Sequence, residues 1–207
     1  MHILSIMTAP SEMTALALFA EHNGTLRTKQ ALALGIHPRT LYRLRDEGRI
    51  EMVSHGVYRL SSLAPLSNPD LVTVALRVPR AVVCLVSALD YHGLTAEIPR
   101  QVQIALPRST HTPTIDYPPI RVFRFTGEAL TAGIVDVDID GVNVRLYDAS
   151  KTVVDCFRFR NKLGMEVVLD ALSRWRDRRI GKPADLLHYA RLCRIERVML
   201  PYLEAML

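Results

Sequence analysis

The chain has 207 residues, 49% hydrophobic and 23% charged, with 26 Lys and Arg against 21 Asp and Glu and a formal net charge of +5. That is chain enough for one large or two small domains with a proper core, and no apolar run approaches the roughly 18 residues of a membrane span. The opening MHILSIMTAPSEM lacks the basic n-region of a signal peptide, so cytoplasm is the expected compartment. The three cysteines, Cys84, Cys156 and Cys193, are far apart, form no CxxC pair and leave an odd count, which predicts buried free thiols and neither disulfide nor zinc site. Charge is unevenly placed: residues 1–66 carry +2, residues 67–157 carry −2 and residues 158–207 carry +5. Two basic ends around an acidic middle suit a nucleic-acid binder, although a solvated surface gives the same pattern.

In chain order, Ser11–His22 is expected to be a supporting helix with Leu16, Phe19 and Ala20 on one side. The next stretch, TLRTKQALALGIHPRTLYRLRDEGRIEMVSHGVYRL over residues 25–60, predicts a helix-turn-helix followed by a β-wing. Thr28 is the expected N-cap of a short helix through Leu34. Gly35 supplies the left-handed residue that ends it, and Ile36 packs back. Pro38 suits the first position of a second helix, where its missing N–H costs nothing. That helix runs to Glu47 and stops at Gly48.

At 100° per residue, Leu41 and Leu44 of the second helix point together to a core, while Arg39, Tyr42, Arg43 and Asp46 point away. Arg45 lies at the flank. Arginines on the outer face of a second helix can fork onto guanine edges or bind phosphate. RIEMV, Ser54-His55-Gly56 and VYRL then form a two-stranded ribbon, with Ile50 and Met52 alternating with Arg49 and Glu51. His55 at the wing tip and Arg59 behind it suit backbone or minor-groove contact.

SSLAPLSNP over residues 61–69 marks a linker. Leu71–Val78 and Ala81–Tyr91 predict helices, the start of the second made ambiguous by the β-branched VVCLV; Gly93 ends it. Gln101–Leu106 and Ile120–Thr126 predict strands. Ile134–Ile139 and Val142–Tyr147, joined by Asp140-Gly141, predict a hairpin. Helices are expected over Ser150–Phe159, Met165–Arg176, Pro183–Leu192 and Arg194–Met206.

The order helix-turn-helix, GVYRL, CLVSALDYHGLTAEIPRQVQIALPR, VRLYDASKTVVDCFRFRNKLG resembles the AbiEi antitoxins of bacterial type IV toxin–antitoxin systems. The resemblance is carried by Gly56-Val57-Tyr58, by Ser87-Ala88-Leu89 with His92-Gly93-Leu94, and by Lys151-Thr152-Val153-Val154-Asp155. It implies an N-terminal winged helix, a C-terminal α/β domain, repression of the protein's own operon, and action against a nucleotidyltransferase-like toxin without a tight complex. The chain is short at its C-terminus for that family. No catalytic residue comes with the resemblance.

Other constellations have plainer readings. Asp136, Asp138 and Asp140 alternate on one strand, a pattern that can hold Mg²⁺, but no phosphate-holding glycine element precedes them, and the solvent face of a hairpin explains them. Asp90-Tyr91-His92 with Glu97 lacks a nucleophile, and His92 suits capping of the helix end. Lys151 and Asp155 are an i,i+4 pair expected at the surface or half-buried. Arg174, Arg176, Arg178, Arg179 and Lys182 surround Trp175: either a stacking platform with a basic patch, or a dipole-favoured helix end with Trp175 packed inward beside Leu169 and Leu172, the favoured reading.

The fold expected is α/β in the broad α+β sense. Residues 1–66 form a winged helix-turn-helix, and residues 67–207 a mixed α/β domain ending in helices. The expected function is sequence-specific binding of double-stranded operator DNA as a repressor, without catalysis, cofactor or metal. Arg39, Tyr42 and Arg43 would read the major groove, with Thr28 and Thr40 in the interface and Lys29, Arg49, His55 and Arg59 on the backbone. Two copies are expected on an inverted repeat. The alternatives are a nucleotidyltransferase- or nuclease-type enzyme targeted by the winged helix, and an interaction protein that docks through its wing.

Overall fold

The computed structural model describes residues 12–205; Ser11, Met206 and the opening segment of the sequence lie outside them. The architecture is mixed α/β, with N-terminal helices and a small antiparallel sheet followed by a five-stranded mixed sheet and C-terminal helices. Contacts divide it into two units: residues up to Leu76 with Asp138–Val142, and Arg77–Val137 with Asn143–Leu207.

In the first unit, α1 (Glu12–Glu21) buries Ala15 and Phe19, four apart and therefore on one face. Ala20, expected beside Phe19, is exposed, being a further 100° round the helix. The ribbon gains a third strand, β1 (Thr25–Arg27), a triplet too short to show a period. α2 (Thr28–Ala33) starts at Thr28 itself, with Arg27 as N-cap, and the Arg27 amide donates to Gln30 Oε1 at 3.0 Å. Thr28 is thus not the cap its hydroxyl suggests: its amide and Oγ1 both donate to Gly56 O, at 2.8 and 3.2 Å. Gly35, at φ 86°, ends α2; its amide donates to Leu32 O and that of Ile36 to Ala31 O, burying Ile36.

α3 (Pro38–Asp46) is capped by His37, whose Nδ1 accepts from the Arg39 amide at 3.1 Å, and Gly48 follows its end at φ 69°. β2 (Ile50–Ser54) and β3 (Val57–Leu60) complete the sheet in the order β1-β3-β2. A register shift between Met52 and Ser54 breaks the expected alternation, and Met52 is 51% exposed while Ile50 is buried. Ala15, Phe19, Leu26, Ala31, Ile36, Leu41, Leu44, Ile50 and Tyr58 form one core. α4 (Pro69–Arg77) follows the Ser/Pro segment, and Leu76 is the last residue of this stretch of the unit.

In the second unit, Val82–Val83 form the short strand β4, and α5 runs only over Leu85–Tyr91. The helix expected from Ala81 is therefore shorter, because β4 pairs with β5 (Val102–Pro107) and with β8 (Val142–Tyr147). β6 (Ile120–Phe125) lies parallel to β5, from Val102 opposite Ile120 to Pro107 opposite Phe125. A four-residue helix α6 (Glu128–Thr131) precedes β7 (Ile134–Ile139), and the sheet order is β6-β5-β4-β8-β7. Asp140 and Gly141, which group with the first unit, turn at φ 53° and 82°, the left-handed pair a tight hairpin needs.

The helices α7 (Ala149–Arg158), α8 (Arg160–Leu163), α9 (Met165–Asp177), α10 (Pro183–Leu192) and α11 (Glu196–Glu204) close the chain. Arg194, expected to begin the last helix, instead takes φ 57° and ends α10.

α7 organises this unit. Asp148 caps it, accepting from the Lys151 amide at 2.8 Å, and α5, α9 and α10 pack on it. All of Ala149–Phe157 is buried. The Lys151–Asp155 pair is therefore neither at the surface nor half-buried: both side chains are 0% exposed, with Nζ 2.5 Å from Oδ2. Lys151 Nζ also lies 4.2 Å from the Tyr147 ring centroid, and Cys193 Sγ donates to Asp155 Oδ1 at 3.6 Å. Trp175 packs inward at 3% exposure and donates to Ser150 Oγ at 3.1 Å. The His92 ring does not cap its own helix; its Nε2 meets Tyr147 O at 2.8 Å. All three cysteines are free and buried.

Burial pushes the Asp155 carboxyl from 3.8 up to about 6, outweighing the pull of the Lys151 charge. A carboxyl raised in this way adds most to stability below the unfolded value of 3.8, and loses that contribution as pH rises through about 6. Lys151→Met alone leaves a buried carboxylate and should cost about 3–5 kcal/mol at neutral pH. Lys151→Met with Asp155→Leu should return stability to wild type or above, and should remove this group's share of the slope between about pH 4 and 6. Urea unfolding of the three proteins across that range checks both; equal losses in the single and double variants would contradict them.

Candidate nucleic-acid interface

The candidate surface is the outer face of α3 with the start of α2 and the wing tip. Leu41 and Leu44 are 1% and 0% exposed, which fixes the rotation of α3 about its axis. Arg39, Tyr42 and Arg43 are consequently exposed and Thr40 half-buried. The Arg39 guanidinium has no hydrogen-bond or ion-pair partner among the described residues. Arg43 is already engaged: its Nη2 lies 2.5 Å from Glu12 Oε1 on α1, with side chains 56% and 38% exposed. Nothing in the sequence signals that contact, since the two residues are far apart in the chain. Arg45 pairs with its neighbour Asp46 at 2.7 Å and lies over the Tyr42 ring, 5.4 Å from its centroid.

Lys29 is exposed on α2, and His55 is exposed in the turn between β2 and β3. The Thr28–Gly56 bonds join that turn to the first residue of α2, which brings Lys29 and the wing tip to one end of the unit. They also occupy the Thr28 hydroxyl. Arg49 is exposed and lines a shallow cleft with Leu16, Gly48, Leu60, Ser61 and Ser62.

Arg59 is not brought to this surface. It lies in the middle strand, opposite Thr25 and Glu51, and is 4% exposed. The reason is that the second face of the sheet is covered. Arg27, opposite Val57 on that face, donates from Nη2 to Ala75 O of α4 at 3.4 Å. Arg59 Nη1 lies 3.7 Å from Glu51 Oε1, and its Nε and Nη1 have no hydrogen-bond partner. A two-stranded wing would have left this arginine outside, and only the third strand and α4 reveal otherwise.

The other constellations are structural. Asp138 Oδ1 accepts from the Gly141 amide at 3.0 Å, and Asp140 Oδ2 accepts from the Ser67 amide and hydroxyl at 2.7 and 2.9 Å. Of the three alternating carboxylates, one thus holds the hairpin turn and another the Ser/Pro segment. Among the described residues, no group of three or more His, Cys, Asp and Glu is placed to hold a metal ion. In the basic cluster, Arg174 pairs with Asp170, Arg176 with Asp177, and Arg178 reaches His92 O at 3.5 Å. No helix of the described residues is long and apolar enough to cross a membrane.

Among solved structures, the crystal structure of the RV2827C protein from Mycobacterium tuberculosis is similar, with a TM-score of 0.49 at 14% identity, covering 90% of this chain and 77% of that one. No curated protein matches. Residues 13–61 match the family model described as "Transcriptional regulator, AbiEi antitoxin". These residues run from α1 to the end of the wing, so the N-terminal part of the chain is similar to the AbiEi antitoxin and transcriptional-regulator family, a family of DNA-binding regulators.

Proposed function

We propose that the chain is a sequence-specific repressor of its own operon and the antitoxin of a type IV toxin–antitoxin pair. Residues 1–66 would serve as the DNA reader and residues 67–207 as the part that acts against the toxin. The observation that carries this reading is the basic outer face of α3, rotated outward by buried Leu41 and Leu44 within an AbiEi-type segment. Arg39, Tyr42 and Arg43 enter the major groove, with Thr40 beside them; Lys29, Arg49 and His55 hold the backbone, and Thr28 fixes the wing. Arg59 has no part in it. The counterpart is a nucleotidyltransferase-like toxin that is opposed without a tight complex, and the protein acts in the cytoplasm as a regulator with no cofactor.

Arg43→Ala should weaken operator binding by about 1–3 kcal/mol and relax the sequence preference. Lys29→Ala should weaken all sequences nearly alike and make the salt slope shallower. Gel-shift titrations on operator and scrambled DNA separate the two, and an unchanged operator affinity for Arg43→Ala would refute the orientation.

The Glu12–Arg43 pair adds a finer test. An exposed pair is worth about 0–1 kcal/mol, so freeing Arg43 by Glu12→Gln should tighten DNA binding by no more than about fivefold. The gain should vanish in the Arg43→Ala background. A gain that persists there would mean that Glu12 acts on DNA directly.

A single helix-turn-helix inserts few side chains into one groove, which rarely yields operator-level specificity. Two copies on an inverted repeat should read half-sites about 10 base pairs apart, or a multiple of that. Footprints should be two-fold symmetric and fill cooperatively, with binding lost when the spacing shifts by about half a helical turn. A one-to-one complex by native mass measurement, indifferent to spacing, would identify a monomeric reader.

A further inference from the structure

The DNA-binding reading leaves a cleft in the second unit unused. It encloses about 400 Å³, within the range of small-molecule sites. Thr126, Gly127 and Glu128 line it together with Arg158, Cys193 and Arg194.

The two arginines are placed in unusual ways. Arg158 is the last residue of α7, and its guanidinium lies over the Phe125 and Phe159 rings at 5.3 and 5.5 Å. Those rings fix it in place, yet they accept no strong hydrogen bond: Nη1 is buried without a hydrogen-bond partner. Arg194 follows the C-cap of α10. Its amide donates to Arg191 O and that of Ile195 to Ala190 O, and its φ is 57°. That is the left-handed position where a helix normally places glycine, so an arginine there costs stability. Neither arginine has an ion-pair partner among the described residues.

The remaining groups leave the cleft positive. Glu128 is the only carboxylate on the lining and pairs with neither arginine. Burial pushes the Cys193 thiol up to about 11, so it is uncharged. Behind it, the charge of Asp155 is matched by Lys151. A Cβ on Gly127 would meet nothing within 4 Å, so the space beside Gly127 is open.

We propose that this cleft seats a small phosphate-bearing ligand, held between Arg158 and Arg194. A guanidinium presents parallel N–H donors that match phosphate oxygens, and a phosphate's multiple charge offsets two cations where a single carboxylate offsets one.

Calorimetric titration of the full chain at constant ionic strength tests this, with pyrophosphate and inorganic phosphate as probes. Saturable one-to-one binding of pyrophosphate is expected, with inorganic phosphate weaker. Arg158→Gln should abolish it, but this variant also loses the aromatic stack. Arg194→Gly is the cleaner variant: it puts glycine where the backbone favours it, so Tm should hold or rise while pyrophosphate affinity falls about tenfold or more. Arg39→Ala with Arg43→Ala, on the face assigned to DNA, should bind pyrophosphate like wild type. Absence of saturable heat in the wild type, an unchanged affinity in Arg194→Gly, or a loss in the Arg39/Arg43 variant would each overturn the proposal. None of these outcomes depends on whether the chain binds DNA.

Discussion

The first unit depends on how two leucines seat one helix. Leu41 and Leu44 sink among Ala15, Phe19, Ile50 and Tyr58, so α3 is held at once by α1 and by the sheet. Each buried leucine contributes on the order of 1.5–3 kcal/mol, which outweighs anything the exposed side chains gain from one another. The rotation of α3 is therefore chosen by its apolar face, and the polar face follows as a consequence. Pro38 and Gly48 then set where the helix begins and ends, and the Thr28–Gly56 bonds carry the placement across to the wing.

Within that frame, a count of basic residues is a poor guide to available charge. Residues 1–66 carry seven Lys and Arg, but the structure sorts them. Arg59 is walled into the sheet, Arg27 spends a guanidinium nitrogen on Ala75 O, Arg45 is tied to Asp46, and Arg43 is tied to Glu12. Arg39, Lys29 and Arg49 stay exposed without such a tie. In the proposed complex with DNA, binding at α3 is thus in part an exchange of partners: Arg43 would leave a carboxylate to meet a phosphate or a base. Such an exchange favours contacts with good geometry over mere proximity, because a badly placed phosphate does no better than Glu12.

The features legible in the sequence were those with strong local causes. The glycines at 35 and 48, the proline at 38 and the two leucines of α3 specify the helix-turn-helix without tertiary help. The Asp140-Gly141 turn is equally local. What escaped depends on partners far along the chain. β1 and β4 are three and two residues long and exist only because neighbouring strands accept them. The same reason hides the burial of Arg59. Lys151 and Asp155 look like an ordinary surface pair at i,i+4 spacing, and only the packing of α5, α9 and α10 around α7 shows that they lie inside. At Arg194, no glycine announces the end of α10, so the pattern runs on into a helix that the backbone interrupts.

The buried pair also restricts how the second unit can pack. Its net worth over a matched pair of hydrophobic residues is small or negative, whereas a bare buried charge costs several kcal/mol. α7 turned by one residue would take Lys151 from the Tyr147 ring and Asp155 from the Cys193 thiol, leaving both charges poorly compensated. The pair thus disfavours alternative rotations of α7 more than it strengthens the observed one. Arg158 lies three residues beyond Asp155, on the same side of the helix. Lys151 and Arg158 accordingly both lie over the Phe125 ring, at 5.2 and 5.3 Å from its centroid. The register that keeps Lys151 beside Asp155 is the register that turns the Arg158 guanidinium toward the cleft, so the buried charges determine where the half-exposed one points.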